Sequence, residues 1–151
     1  MFLDFGCNNI YICNRTVLVR SSGATHLNDF SKSVLFVDDE PDLLRLIRGL
    51  LEEEGFQVLT SESAEEALAQ LKATRPDIIL ADIKLPAMDG FQLYEQVRKT
   101  PGLDTVPFVF VTAYNDQEAI ASAKALGASD YVTKPFDFEL LIQTVKRLTA
   151  T

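Results

Sequence analysis

From residue 33 onward, short continuous apolar runs alternate with longer segments whose apolar residues recur every three or four positions. The apolar runs are residues 34–37, 58–59, 78–81, 106–111 and 131–132. Helix start and stop signals bound the segments between them, for example Pro41 and Gly55 around the first. Strands that are apolar throughout are typical of a parallel sheet covered on both faces. The pattern therefore predicts a doubly wound α/β domain with five strands and five helices.

Polar residues at the starts of three helical segments are suited to capping. Ser63 is followed three positions later by Glu66, which is the spacing of a capping box. Asp89 can cap the next helix, and Asn115 with Glu118 can cap the fourth. These caps place each helix start shortly after the end of a predicted strand.

Residues 1–32 lack this alternation and are predicted to be an N-terminal extension of the domain at residues 33–150. Two β-prone runs, 10–13 and 16–19, flank residues suited to a turn, and residues 21–25 have the composition of a linker. The favoured interpretation is a disordered or loosely attached segment. The alternative is a β-hairpin that adds to the edge of a sheet.

The charge of the chain argues against two classes of partner. Fourteen Lys and Arg residues against 22 Asp and Glu residues leave a net charge of -8 over 151 residues. Nucleic acid and anionic membranes attract clustered positive charge, so we expect no direct contact with either. No apolar run approaches the roughly 20 residues that span a bilayer. Cys7 and Cys13 are the only cysteines, which suits a reducing compartment, and a cytoplasmic protein is predicted.

Chemically reactive side chains follow the ends of four predicted strands. They are Asp38 and Asp39 after the first strand, Asp82 after the third, Thr112 after the fourth and Lys134 after the fifth. In a doubly wound sheet the carboxyl ends of the parallel strands form one edge, where function collects. Each residue alone has an ordinary explanation, such as a helix cap or a surface charge. Four such coincidences on one edge favour a functional site.

Three carboxylates at one edge need a compensating positive charge. Two unit charges at ~5 Å in an effective dielectric of ~20 repel by about 3 kcal/mol. A proton or a cation would offset this repulsion, and Mg²⁺ suits one or two carboxylates together with water and phosphate oxygens. Lys134 supplies a second positive charge. A carboxylate beside Mg²⁺ and a lysine is suited to phosphoryl transfer, because both cations stabilise charge on the transferring group.

Residues 33–148 resemble the receiver domain of two-component response regulators. The motifs that carry the resemblance are Val34-Leu35-Phe36-Val37-Asp38-Asp39-Glu40, Asp82 with Pro86 and Met88-Asp89-Gly90, Val111-Thr112-Ala113, and Gly127-Ala128-Ser129-Asp130-Tyr131-Val132-Thr133-Lys134-Pro135-Phe136. The resemblance implies a flavodoxin-like parallel sheet of five strands in the order 2-1-3-4-5, with helices on both faces.

The resemblance also implies a role for each acidic residue at this edge. Asp82 would accept a phosphoryl group from the phosphohistidine of a sensor histidine kinase or of a phosphotransfer protein. Mg²⁺ would be bound directly by Asp39, Asp82 and the main-chain carbonyl of Lys84. Asp38 would contact the ion through a water.

The resemblance assigns the response to phosphorylation to other residues. Thr112 would hydrogen-bond a phosphoryl oxygen, and Lys134 would form an ion pair with the phosphate. Tyr131 matches the switch aromatic, which turns inward when Thr112 moves. The Lys134–Pro135 peptide would be cis. A homodimer through the fourth helix, fifth strand and fifth helix is a further expectation, although Ser129 stands where dimerising receivers have an aspartate.

The sequence is also compatible with two other classes of function. The first is a Mg²⁺-dependent aspartyl-phosphate phosphatase of the haloacid dehalogenase type, which has a second aspartate two residues after the nucleophile. Glu40 and Pro41 occupy those positions after Asp38 and Asp39, so we expect self-catalysed phosphoryl transfer and autodephosphorylation rather than an enzyme. The second is an interaction module that never takes phosphate. Either a stand-alone receiver or a fragment of a larger regulator fits the sequence.

Overall fold

The computed structural model describes residues 32–113 and 115–150, together with the backbone of three strands nearer the N-terminus. Those strands are β1 (Ile10–Cys13), β2 (Thr16–Ser21) and β3 (Ala24–Asp29). They pair antiparallel in the order β1-β2-β3. Both β-prone runs of the sequence are therefore strands, whereas β3 begins within the segment that the sequence pattern assigns to a linker.

The small N-terminal sheet is separate from the main sheet. Among the strands that the structure describes, none pairs across the two sheets, so the hairpin does not extend an edge of the main sheet. The two residues of the predicted turn, 14 and 15, lie outside the described residues. The loose attachment of residues 1–32 and the domain boundary at residue 33 stay predictions.

The rest of the chain alternates strand and helix. In chain order the elements are β4 (Ser33–Val37), α1 (Pro41–Glu53), β5 (Gln57–Ser61), α2 (Ala64–Leu71), β6 (Ile78–Asp82), α3 (Gly90–Lys99), β7 (Phe108–Ala113), α4 (Gln117–Ala125), β8 (Asp130–Lys134) and α5 (Phe138–Thr149). The strands are parallel and ordered β5-β4-β6-β7-β8. Numbered within this sheet, the order is 2-1-3-4-5, which confirms the predicted doubly wound α/β fold.

Side-chain caps stand at the starts of α2, α3, α4 and α5. Ser63 Oγ accepts a hydrogen bond from the amide of Glu66 at 3.1 Å, as predicted. Helix α4 is capped by Asp116 rather than by Asn115, since Asp116 Oδ1 accepts from the amide of Ala119 at 3.0 Å. Both side chains are able to cap a helix, and in the structure the second occupies the N-cap position.

The main sheet separates two apolar layers. Val34 and Phe36 of β4 pack in the layer of α1 and α5, which we call the α1/α5 face. Leu35 and Val37 pack in the layer of α2, α3 and α4, which we call the α2/α3/α4 face. Strand β4 is apolar throughout because both of its faces are covered. Within the described residues, no helix has the length and apolar character needed to cross a membrane.

Candidate acidic site at the carboxyl edge of the sheet

The carboxyl edge of the main sheet brings together residues that are far apart in the sequence. Asp38 directly follows β4, Asp82 ends β6 and Lys134 ends β8. Thr112 is the penultimate residue of β7 and lies in register with Thr133 of β8. Parallel pairing causes this convergence, since every strand contributes its last residues to the same edge.

The side chain of Lys134 joins two of the predicted carboxylates. Its Nζ lies 2.7 Å from Asp38 Oδ2 and 3.0 Å from Asp82 Oδ2, and Glu40 Oε1 is 4.0 Å away. Asp38 is 0% exposed and Asp82 is 8% exposed. Solvent and salt screen buried charges less than surface charges, so this contact is electrostatically stronger than a typical surface ion pair. The lysine thus supplies the positive charge that clustered carboxylates require.

Burial and charge act in opposite directions on Asp82 and Lys134. Burial raises the pKa of Asp82, the hydrogen bond and positive charge of Lys134 lower it, and the net result is a raised pKa. Burial lowers the pKa of Lys134, but its hydrogen bonds to Asp38 and Asp82 outweigh that effect, so this pKa is raised as well. The lysine is therefore held as a cation, whereas Asp82 carries its negative charge at a cost in free energy.

Main-chain amides hold the second oxygen of each buried carboxylate. Asp38 Oδ1 accepts from the amide of Glu40 at 3.0 Å, and Asp82 Oδ1 accepts from the amide of Lys84 at 3.1 Å. Each carboxylate therefore uses one oxygen for a turn in its own loop and the other for Lys134. This two-point attachment fixes the orientation of both carboxylates, so the site is preorganised.

A further cluster of acidic side chains lies at the end of β4. One carboxylate oxygen from each of Asp38, Asp39 and Glu40 lies within 4.8 Å of the other two. Asp39 and Glu40 are exposed. Clustered hard oxygen ligands with access to water fit Mg²⁺. Glu40 is not among the site residues predicted above, although it directly follows the two aspartates in the sequence.

The structure also describes the positions of the other predicted site residues. Thr112 is buried at the end of β7. Tyr131 packs partly against the α2/α3/α4 face, and Lys124 Nζ lies 5.2 Å from its ring centroid. The side chain of Lys84 is exposed and extends toward the first turn of α4. The Lys134–Pro135 peptide is cis, as the resemblance implies.

The start of α3 lies directly against the main chain of Asp82. The amide of Gly90 donates to the carbonyl oxygen of Ile83 at 2.9 Å. A Cβ atom on Gly90 would lie 2.4 Å from the carbonyl oxygen of Asp82. Only glycine permits so close an approach of two backbone segments. Gly90 therefore packs α3 against the strand end that carries Asp82.

Comparison with known proteins identifies the family. A sequence model described as the response regulator receiver domain matches residues 34–146. The chain belongs to the response regulator receiver domain family. This receiver is 34% identical over 117 residues to Protein PilH of Pseudomonas aeruginosa, an alignment that covers 78% of this chain and 97% of PilH.

Solved structures of receivers share the fold. A putative response regulator from Chloroflexus aurantiacus superposes with a TM-score of 0.75 at 34% identity, covering 80% of this chain and 98% of that one. The chemotaxis response regulator CheY4 of Vibrio cholerae superposes with a TM-score of 0.72 at 32% identity, covering 78% and 98% of the two chains. The receiver resemblance inferred from the sequence motifs is confirmed.

Family membership gives the acidic site a general context. Response regulator receiver domains belong to two-component systems and interact with histidine kinases or phosphotransfer proteins. They generally bind Mg²⁺ at an acidic pocket, and this chain has a cluster of acidic side chains, Asp38, Asp39 and Glu40, at the end of β4. The family is one of receiver domains rather than of conventional enzymes, which favours a receiver over the phosphatase alternative.

Proposed function

We propose that this receiver is a phosphorylation-dependent signalling switch in which Asp82 accepts a phosphoryl group from a phosphohistidine. The donor is a sensor histidine kinase or a phosphotransfer protein. The observation that carries the proposal is the bridge that Lys134 makes between Asp38 and Asp82, with distances of 2.7 and 3.0 Å. It holds a buried carboxylate beside a fixed cation where the strand ends meet.

Phosphoryl transfer uses Asp82 as the nucleophile. A carboxylate oxygen of Asp82 forms a bond to phosphorus while the P–N bond of the phosphohistidine breaks. The imidazole leaves with the electron pair and takes up a proton. When bound by Asp39, Asp82 and the main-chain carbonyl of Lys84, with Asp38 acting through a water, Mg²⁺ supplies positive charge that neutralises the phosphoryl oxygens.

Thr112, Lys134 and Tyr131 respond to the phosphoryl group. It brings close to two negative charges and three acceptor oxygens. Lys134 pairs with one oxygen, Thr112 donates a hydrogen bond to another, and Tyr131 turns inward as Thr112 moves. A shift from about 1% to about 99% active needs about 5.5 kcal/mol of differential interaction. Two hydrogen bonds to charged groups, at about 1.5–3 kcal/mol each, supply most of that free energy.

The output of the switch is the changed surface of the last two strands and their helices. This surface binds a downstream target or a second copy of the chain through α4, β8 and α5. The net charge of -8 argues against direct contact with nucleic acid or an anionic membrane. We place the receiver in the cytoplasm, as a stand-alone protein or as part of a longer regulator. Its covalent chemistry is limited to self-catalysed phosphoryl transfer and autodephosphorylation.

Intact mass spectrometry after incubation with acetyl phosphate and Mg²⁺ tests this proposal. We expect one added phosphoryl group on the wild type and none on Asp82→Asn. Asp89→Asn is the matched control, because Asp89 caps α3 and asparagine caps equally well. That variant should be phosphorylated like the wild type.

Two results would contradict the proposal. Equal phosphorylation of the wild type and Asp82→Asn would show that another residue accepts the group. No adduct on the wild type, together with no Mg²⁺-dependent rise in its melting temperature, would favour the interaction module that never takes phosphate.

A further inference from the structure

Helix α4 is held to the sheet by small side chains. Its buried residues are Ala119, Ile120 and Ala123, whereas α1 buries two leucines and an isoleucine. Stabilisation by burial increases with the apolar area that is removed from water. Burial therefore fixes α4 less firmly than α1, and individual hydrogen bonds contribute a larger share to its position.

The C-terminal end of α4 is hydrogen-bonded into two neighbouring elements. The hydroxyl of Tyr94 in α3 donates to the carbonyl oxygen of Leu126, the C-cap residue of α4, at 2.9 Å. Just beyond the cap, the amide of Ser129 donates to the carbonyl oxygen of Phe108 in β7 at 3.0 Å. The hydroxyl of Ser129 accepts from the amide of Phe108 at 3.2 Å. This end of the helix is thus tied to both α3 and β7.

Tyr94 is itself firmly held. It is 7% exposed, and its ring centroid lies 5.2 Å from that of Phe108 and 5.5 Å from that of Phe110. The guanidinium carbon of Arg98 lies 4.8 Å from the same centroid. Aromatic and cation–π contacts on several sides fix the ring. The position of the hydroxyl is therefore set by α3 and β7 and not by α4.

The N-terminal end of α4 has weaker polar attachments among the described residues. Its cap, from Asp116 to the amide of Ala119, is internal to the helix. The amide of Asp116 bonds to the nearby carbonyl oxygen of Ala113 at 3.0 Å. Lys84 Nζ lies 3.9 Å from Asp116 Oδ2, beyond hydrogen-bond distance, and the lysine side chain is 78% exposed. Exposed ion pairs of this kind contribute little to stability.

We propose that Tyr94 pins the C-terminal end of α4 as a hinge, and that a phosphoryl group on Asp82 swings the N-terminal end. The swing rests on the proposed function, whereas the hinge is a property of the unphosphorylated fold. A nine-residue helix is about 13 Å long, so a rotation of about 10° displaces its free end by about 2 Å. Tyr94 is a positioning residue, and the changed surface lies at the end of α4 beside Thr112.

Hydrogen exchange of Tyr94→Phe, without any phosphoryl group, tests the hinge. The substitution removes one hydroxyl and keeps the ring. We expect the amides of Leu126 and Ala128 to exchange about tenfold faster than in the wild type, which corresponds to about 1.4 kcal/mol. The amide of Ile120 should change less than about twofold. A purely structural loss of stability would speed exchange at all core amides together.

Thr100→Val is the matched control for this experiment. It also removes one hydroxyl from the α3 segment, but that hydroxyl donates to the carbonyl oxygen of Gln96 at 2.8 Å, within α3. Exchange at Leu126 should stay at the wild-type rate in this variant. Equal acceleration at Leu126 and Ile120 in Tyr94→Phe, or none at Leu126, would overturn the hinge.

Mg²⁺ with beryllium fluoride, a mimic of the aspartyl phosphate, tests the swing. In the wild type we expect Mg²⁺ and beryllium fluoride to change the exchange rate of the Ile120 amide and to leave that of the Leu126 amide constant. In Tyr94→Phe we expect the exchange rates of both amides to change. Equal changes at the two ends of α4 in the wild type would overturn the proposal. If the exchange rates at Thr112 and Lys134 of the wild type did not change, the result would contradict the proposed function instead. The ligand-free comparison of the wild type with Tyr94→Phe would still test the hinge.

Discussion

The α1/α5 face and the α2/α3/α4 face cover the same sheet but are held in different ways. On the α1/α5 face, large aliphatic side chains of both helices fill the layer. Lys146 Nζ of α5 lies 2.6 Å from Glu54 Oε2 at the C-cap of α1. On the α2/α3/α4 face, aromatic rings pack between α3 and the sheet, whereas α4 adds two alanines to that layer. The rings are Phe91, Tyr94, Phe108 and Phe110.

Because of this difference, we expect the layer of α1 and α5 to resist rearrangement, whereas α4 in the opposite layer can move more easily. Interlocked large side chains lose many contacts at once when an element shifts. A helix such as α4, which packs through alanines, loses few contacts when it shifts. Its position therefore depends more on the hydrogen bonds at its C-terminal end. Thr112 lies near the C-terminal end of β7, shortly before α4 begins. Under the proposed function, a displacement of Thr112 therefore acts on a helix that is packed less firmly than α1.

The largest expected effect contrasts two helical glycines, one on each face. Gly90→Ala places a Cβ 2.4 Å from the carbonyl oxygen of Asp82, so we expect a loss of more than about 3 kcal/mol or failure to fold. Gly49→Ala in α1 meets nothing within 4 Å. It should stabilise the fold by about 1 kcal/mol, because alanine is the better helix former. Urea unfolding measures both. Wild-type stability of Gly90→Ala would show that α3 is not tightly packed against the strand end.

Truncating one buried isoleucine in α1 and one in α4 compares how firmly these two helices are held. Ile47 in α1 is 0% exposed and Ile120 in α4 is 8% exposed. We expect Ile47→Ala to cost about 4 kcal/mol and Ile120→Ala about 2 kcal/mol, because a helix packed through alanines can move to close the cavity. The midpoints of urea unfolding give the two values. Equal losses would remove the basis for treating α4 as the movable element.

The smallest expected effects concern two serines before α2. Ser61 is 1% exposed, and its hydroxyl has no hydrogen-bond partner among the described residues. Ser61→Ala should therefore stabilise by about 1 kcal/mol, since it removes an unsatisfied buried group. Ser63→Ala should cost about 1 kcal/mol, because it removes the cap of α2. Thermal unfolding compares them. If Ser61→Ala were destabilised, the hydroxyl of Ser61 would have a hydrogen-bond partner, and the polar groups of the α2/α3/α4 face would be better satisfied than this structure indicates.

Much of the fold and the placement of the site could be predicted from local patterns. The runs at 34–37 and 78–81 are apolar at every position because both faces of a parallel sheet are covered, so their ends could be located. The convergence of Asp82 and Lys134 then followed from the common edge of parallel strands. Local signals failed where two neighbours were equally suited, as with Asn115 and Asp116 at the start of α4.

By itself, the sequence determined which side chains would meet at one edge of the sheet. The tertiary structure decided their environments. Asp38 and Asp39 are neighbours with the same side chain, yet Asp38 is fully buried and bonded to Lys134, 96 positions away, while Asp39 is exposed. The bond from Tyr94 to Leu126 likewise joins residues 32 positions apart. Such contacts depend on how whole elements pack together, and a local pattern of hydrophobic and polar residues does not predict that packing.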